Sequence, residues 1–580
     1  VIQYEKKIKH YPFLPTTKDE IKRLGWEQLD VILFSGDAYI DHPSFGTAII
    51  ARILEKGGYK VGVVPQPNWR DDLRDFKKLG KPRLFFGVSA GAMDSMVNHY
   101  TAFKRLRSND SYTPGGVAGF RPDYAVTVYT KILKSLFPDV PVVVGGIEAS
   151  LRRVTHYDYW QDKLFPSILV ESGADFLTYG MGEKATIQIA RYIDGNRDGK
   201  SCRQLLQTAY FSAESPEPDG NTVILPSYES CCANKKEFVK SFNEVELQAN
   251  LLHPKRIVEP VRNGYVYINE PFPPLTQEEL DAVYDLPYTM QPHPRYKGKT
   301  IPAYEMIKNS ITIHRGCFGG CSFCTIAAHQ GKFIQSRSTR SILSEIEVLK
   351  QVPGFSGNLS DVGAPSANMY LMGGKNLSLC EKCRRKSCVY PSICLNLNRS
   401  HKPLTELYRK IDSVSGIRHS FVGSGVRYDL LMDRKGYLDQ ESREYFTELI
   451  SKHISGRFKV APEHTEEHIL QLMNKPSFAL FCTMKKEFEK ICRQYKLNQQ
   501  IVPYFISSHP GCHLSDMKAL AANPTLQGVF TEQVQSFTPT PMTRSSVMFY
   551  TGLNTKTLEP LFVEKNIMRQ REQKSYFFKK

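Results

Sequence analysis

Short, unbroken apolar runs alternating with stretches of helical spacing constrain this 580-residue chain more than any other feature. Val31-Ile-Leu-Phe34, Val61-Gly-Val-Val64, Leu84-Phe-Phe-Gly-Val88, Val142-Val-Val144 and Asp175-Phe-Leu-Thr-Tyr179 read as strands, and residues 47–56 as a helix. Strands buried on both faces are apolar throughout, and helical crossovers set consecutive strands parallel. The expected fold class is therefore α/β, with a doubly wound parallel sheet over residues 1–199 and its site at the C-terminal strand ends. Those ends carry the turns Gly36-Asp-Ala-Tyr-Ile-Asp-His42, Ser89-Ala-Gly91, Gly145-Gly-Ile-Glu-Ala-Ser150 and Gly180-Met-Gly-Glu183. Glycines there let backbone approach a ligand, although they also serve ordinary strand-to-helix turns.

Residues 200–300 read as a less regular bridge, rich in turns such as Pro271-Phe-Pro-Pro274. A second alternating series follows, with strands expected at 310–313, 358–362, 420–423, 457–460, 500–506 and 534–537 and helices at 341–351 and 484–495. Six βα units in a row suggest a partial (β/α) barrel over 301–555, with a cysteine-rich insertion at 376–400 and chemistry at the strand C-termini. From Lys565 onward six cationic residues face one acid, so 556–580 reads as a basic tail, a helix with a frayed end. No run approaches the ~20 apolar residues of a membrane span, and Val1-Ile-Gln-Tyr-Glu-Lys-Lys7 does not resemble a signal peptide, so the expected location is cytoplasmic. The net charge of +17 fits a solvated basic surface or an anionic partner such as RNA, but no RNA-binding signature accompanies it.

Seven of the thirteen cysteines fall between Cys317 and Cys394, and in a large chain of this kind such clustering points to metal rather than disulfides. In His314-Arg-Gly-Cys317-Phe-Gly-Gly-Cys321-Ser-Phe-Cys324, three cysteines spaced C-x3-C-x2-C can wrap one face of a cubane. Three ligands rather than four leave one iron open to a small molecule, and S-adenosylmethionine can chelate it through its amino and carboxylate groups. One electron into the sulfonium would then release methionine and a 5′-deoxyadenosyl radical, with the protein positioning the parts and excluding water. The competing reading is a Cys3His zinc site completed by His314 or His329. A second set, Cys380-x2-Cys383-x4-Cys388-x5-Cys394, can close a site completely, as structural zinc or as an auxiliary iron–sulfur cluster.

The C-x3-C-x-Φ-C pattern, with Phe323 at the aromatic position, resembles the radical S-adenosylmethionine (SAM) superfamily. Residues 314–331, Ser336-Arg-Ser338, Asp361-Val-Gly-Ala-Pro-Ser-Ala-Asn-Met-Tyr370, Lys459-Val-Ala-Pro-Glu-His464 and Tyr504-Phe-Ile-Ser-Ser-His-Pro-Gly511 are similar to the YgiQ-type family within it. The resemblance covers most of the chain and implies a radical SAM barrel joined to a cobalamin-binding-like domain, with no settled substrate. It also implies that the 361–368 loop holds the methionine amino group, through Gly363, Ala364 and Asn368, where Gly363-Ala364 replaces the usual Gly-Gly pair. The loops carrying Glu463 and His464, and Ser507, Ser508 and His509, would face ribose or substrate. Loop hydrogen bonding is the plain alternative for both histidines.

A histidine-ligating cobalamin domain would carry D-x-H-x-x-G after its first strand. Here Asp41-His42-Pro-Ser-Phe-Gly46 places Asp beside His and lengthens the spacing to glycine, which argues against histidine ligation; a pocket for another ligand or a purely structural domain is expected ahead of cobalamin bound without a protein ligand. The sequence therefore reads as an enzyme, a radical SAM protein that cleaves SAM with a low-potential electron donor such as flavodoxin or ferredoxin and acts on an unidentified substrate. The alternatives are a cobalamin-dependent radical methyltransferase, an RNA-modifying enzyme, and a zinc-dependent nucleic-acid-binding protein using both cysteine sets structurally.

Overall fold

The computed structural model describes residues 12–577 except 196–201, 203, 218, 434 and 530–532, so the first residues of the chain and its last three lie outside it. The expected apolar runs form β1 (Val31–Ser35), β2 (Val61–Pro65), β3 (Phe85–Ser89), β4 (Val142–Val144) and β5 (Phe176–Thr178), almost wholly buried. All are parallel, in the order β2-β1-β3-β4-β5. Because β2 and β3 flank β1 on opposite sides, the switch point of this doubly wound sheet lies between β1 and β3.

Residues 200–300, expected as an irregular bridge, instead extend this sheet with β6 (Thr208–Ser212), β7 (Thr222–Ile224), β8 (Arg256–Val261) and β9 (Gly264–Ile268). The full order is β7-β8-β9-β6-β5-β4-β3-β1-β2, with antiparallel pairing from β5 through β6 and β9 to β8. These strands are short and partly exposed, so they lack the continuous apolar signature of the central ones.

The second lobe is a set of parallel ladders rather than a closed barrel. β10 (Ser310–Thr312) pairs with β12 (Asp361–Gly363), and β11 (Asn358–Leu359) with β13 (His419–Ser420). β14 (Arg457–Glu463), β15 (Gln500–Ser507) and β16 (Val534–Ser536) form a third parallel group. All six expected strand regions are occupied. Helices Thr339–Leu349 and Lys402–Asp412 bury Ile342, Ile346 and Leu349, and Leu404, Leu407 and Ile411, stripes of i, i+3/i+4 spacing facing the strands. The basic tail forms helix Ile567–Ser575, whose Gln573 amide donates to the Cys512 carbonyl at 3.2 Å, docking it on the second lobe. Among the described residues no helix is long and apolar enough to cross a membrane.

One buried ion pair ties the lobes. Arg315, beside the cysteine loop, bonds Glu183 at the start of the helix after β5, and its Nε donates to the Tyr284 hydroxyl at 3.3 Å. Both side chains are less than a tenth exposed. Removing one partner of such a pair strands the other charge in a low dielectric and costs about 3–5 kcal/mol, whereas an apolar pair of similar volume is close to neutral. Glu183→Ala is therefore expected to lower the denaturation midpoint markedly, and the double variant E183L/R315M to recover most of the loss.

Candidate active site

The cysteine loop leaves the short strand His314–Arg315, which pairs antiparallel with Gln335–Ser336. Gly320 has a φ of +66°, a left-handed turn that favours glycine, and lets the chain fold back between Cys317 and Cys321. Gly319 is required for space, because a Cβ there would lie 2.1 Å from the Arg427 guanidinium. Cys317 is buried, while Cys321 and Cys324 are partly exposed.

Arg427 dominates the electrostatics. Its Nη1 donates to Cys321 Sγ at 3.5 Å, and its Nε to Asp429 at 3.0 Å. The Gly319 N–H donates to Cys317 Sγ at 3.4 Å, and the Ser366 hydroxyl lies 3.6 Å from that sulfur. Burial pushes the Cys324 thiol up to about 12, with the neighbouring cysteines and Glu463 adding to the effect. Burial also raises Cys317, against the pull of Arg427. Two of the three thiols, Cys317 and Cys321, face one buried cation, and Cys317 also accepts a backbone N–H; this setting suits an anionic thiolate cluster, so the residues fit a [4Fe–4S] group.

Each histidine of the zinc alternative has one ring nitrogen engaged. His314 Nε2 bonds the Ser366 carbonyl at 3.0 Å, and His329 Nδ1 the Ser150 hydroxyl at 3.1 Å.

The remaining expected residues divide. Glu463 and Ser508, near the C-terminal ends of β14 and β15, have φ of +70° and +60°, strained values for non-glycine residues. Burial raises Glu463, and Lys475 faces it at 3.6 Å. His464 turns away, its Nε2 3.7 Å from Cys512 Sγ. His509 reaches the loop indirectly: its Nδ1 donates to the Pro510 carbonyl at 2.9 Å, leaving Nε2 to accept from Ser545 at 2.7 Å, and Ser545 lies 2.8 Å from the Ser322 hydroxyl. Burial lowers His509 to about 3, so this chain is neutral. Phe323 packs edge-on to His509, and the Ser507 hydroxyl donates to Ser536. Asn368 holds the Arg427 backbone from both sides, at 2.8 and 3.0 Å, rather than facing the thiols.

Gly363 and Ala364 line a cavity of about 550 Å³ between the lobes. It is closed on one side by Asp361, Pro365 and Ser424, and on the other by the turns at Ser89, Gly145–Gly146 and Gly180–Glu183. Asp41 and His42 do not line it. Asp41 is ion-paired with buried Arg52, and His42 Nδ1 accepts from the Ser44 N–H at 3.1 Å.

Arg427 and Ser545 escaped the sequence reading. Arg427 had one signal, the turn Gly423-Ser-Gly-Val-Arg427 after an expected strand; Ser545, far along the chain, had none. Ser545→Ala removes the hydroxyl shared by His509 and Ser322. It is expected to cost about 1–3 kcal/mol and to speed amide hydrogen exchange selectively at residues 322–324, read by mass spectrometry.

With this geometry in place, comparison with known proteins is direct. A family model described as Radical SAM N-terminal matches residues 13–310. A UPF0313 protein of Bacteroides thetaiotaomicron is 54% identical, over 98% of this chain and 94% of that protein. One from Methanocella arvoryzae is 43% identical, over 96% and 91%. The structure of the radical SAM methyltransferase TsrM from Kitasatospora setae, with cobalamin and a [4Fe-4S] cluster bound, aligns with a TM-score of 0.51 at 14% identity, over 90% of this chain and 74% of that one, a likeness of fold. The chain belongs to the UPF0313 family and, through its Radical SAM N-terminal region, to the radical SAM enzymes.

Proposed function

We propose that Cys317, Cys321 and Cys324 hold a [4Fe–4S] cluster and that the protein uses it to cleave SAM reductively, acting on a substrate held in the cavity between the lobes. The observation that carries this reading is the C-x3-C-x2-C loop folded around one buried cation, Arg427, at the C-terminal side of β10. When bound, such a cluster supplies one electron from an external low-potential donor to the SAM sulfonium, giving methionine and a 5′-deoxyadenosyl radical. The chain's own residues do the rest. Arg427 offsets thiolate charge, Asn368 fixes the Arg427 backbone, and Gly319 and Gly320 let the loop close. Glu463, whose charge Cys324 feels, and the strained turn at Ser508 are the polar groups this reading assigns to SAM or substrate. The cysteines at 380, 383, 388 and 394 bind a metal of their own.

The test is anaerobic purification followed by dithionite-dependent formation of 5′-deoxyadenosine from SAM. The wild-type protein is expected to make it and Cys321→Ala to make none; product from the variant would overturn the ligand assignment. Glu463→Gln is expected to keep its iron while lowering turnover about 100-fold or more, in the range of one general acid–base group.

A second reading places a corrinoid in the same cavity, favoured by its position at the switch-point edge of the parallel sheet. Since His42 lies outside the cavity lining, that corrinoid would bind without it. Absorbance of a bound corrinoid and formation of S-adenosylhomocysteine would select this reading; their absence would reject it.

A further inference from the structure

The second cysteine set has a setting of its own. Cys380, Cys383, Cys388 and Cys394 line a single pocket of about 510 Å³, and Phe318, the neighbour of Cys317, lines it too. The Cys388 N–H donates to the Phe318 carbonyl at 3.1 Å and the Ser387 hydroxyl to the Gly319 carbonyl at 2.7 Å, so the insertion is built directly against the first loop. Two of its sulfurs already accept hydrogen bonds. The Arg385 N–H reaches Cys383 Sγ at 3.4 Å, and the Asn396 amide reaches Cys380 Sγ at 3.3 Å. Donors of this kind stabilise thiolates and tune the clusters they hold.

Lys332 says what charge the pocket expects. It is 4% exposed and lines the same pocket. Its ammonium donates to the Arg385 carbonyl, and among the described residues no carboxylate pairs with it. A buried cation needs a counter-charge. The only groups lining this pocket that can become anionic are the four thiols.

The spacing separates the two metals left open by the sequence. One zinc ion draws four thiolates onto a single centre at about 2.3 Å. A cubane spreads them over four irons, farther from one another. The four cysteines line one cavity of about 510 Å³, space that a cubane fills and a single zinc ion does not. We propose that Cys380, Cys383, Cys388 and Cys394 ligate a second iron–sulfur cluster, a cubane with all four irons held by protein, whose negative charge is met by buried Lys332.

This proposal stands apart from SAM cleavage, and its test does not depend on it. The triple variant C317A/C321A/C324A, purified anaerobically as the full chain, is expected to retain about four irons, no zinc and an electron paramagnetic resonance signal on reduction. One zinc in place of iron, or no metal, would overturn the proposal. If that variant fails to fold, the wild-type metal content decides: about eight irons without zinc supports the second cluster, whereas about four irons, with or without one zinc, contradicts it. Lys332→Met is expected to move the second cluster's midpoint potential to a more negative value, since a cation favouring the reduced form is lost; an unchanged potential would remove Lys332 from the account. Absent 5′-deoxyadenosine with eight irons present would sink the cleavage reading and leave this one intact.

Discussion

The site depends on one problem of charge. In the proposed reading, three thiols must ionise to ligate a cluster in a place where burial opposes ionisation, as the raised Cys317 and Cys324 show. Arg427 is the chain's answer. It sits between Asp429, which keeps it charged, and Cys321, to which it donates. Much of the local architecture follows from its position. Gly319 has no side chain because the guanidinium occupies that space. Asn368, expected to hold the methionine amino group of SAM, bonds the Arg427 backbone instead. Lys332 repeats the device at the second cysteine set, one buried cation for each group of sulfurs.

The two lobes are a single device for the same reason. Glu183 lines the inter-lobe cavity and pairs with Arg315, which begins the cysteine loop. Glycine turns at the C-terminal edge of the parallel sheet therefore face Gly363 and Ala364 across a cavity that neither lobe forms alone. A substrate held there would contact both a rigid sheet edge and the second lobe's strands, which suits chemistry that must keep a reactive species from water.

How much of this was legible depends on whether its cause is local in sequence. β1 to β5 were readable because central parallel strands are apolar end to end, and the two cysteine sets because ligand spacing is itself local. β6 to β9 were not, since strands of three to six residues with mixed polar and apolar positions do not stand out among turns. Arg427 and Ser545 were invisible for a deeper reason. They matter through contacts with residues roughly a hundred and two hundred positions away, and nothing in a single sequence marks such partners. His464 and His509, polar residues expected near the chemistry, illustrate the converse. Burial holds both neutral, and their ring nitrogens are engaged with Cys512, the Glu466 N–H, the Pro510 carbonyl and Ser545.

The central claim is that three protein ligands leave one iron of the first cluster free for SAM. Mössbauer spectroscopy of 57Fe-loaded protein, with and without SAM, addresses it most directly. The account predicts that SAM shifts the signal of one iron of the cluster on Cys317, Cys321 and Cys324 and leaves the others in place. A spectrum indifferent to SAM in a fully loaded protein would mean that every iron is already closed, and would contradict the account.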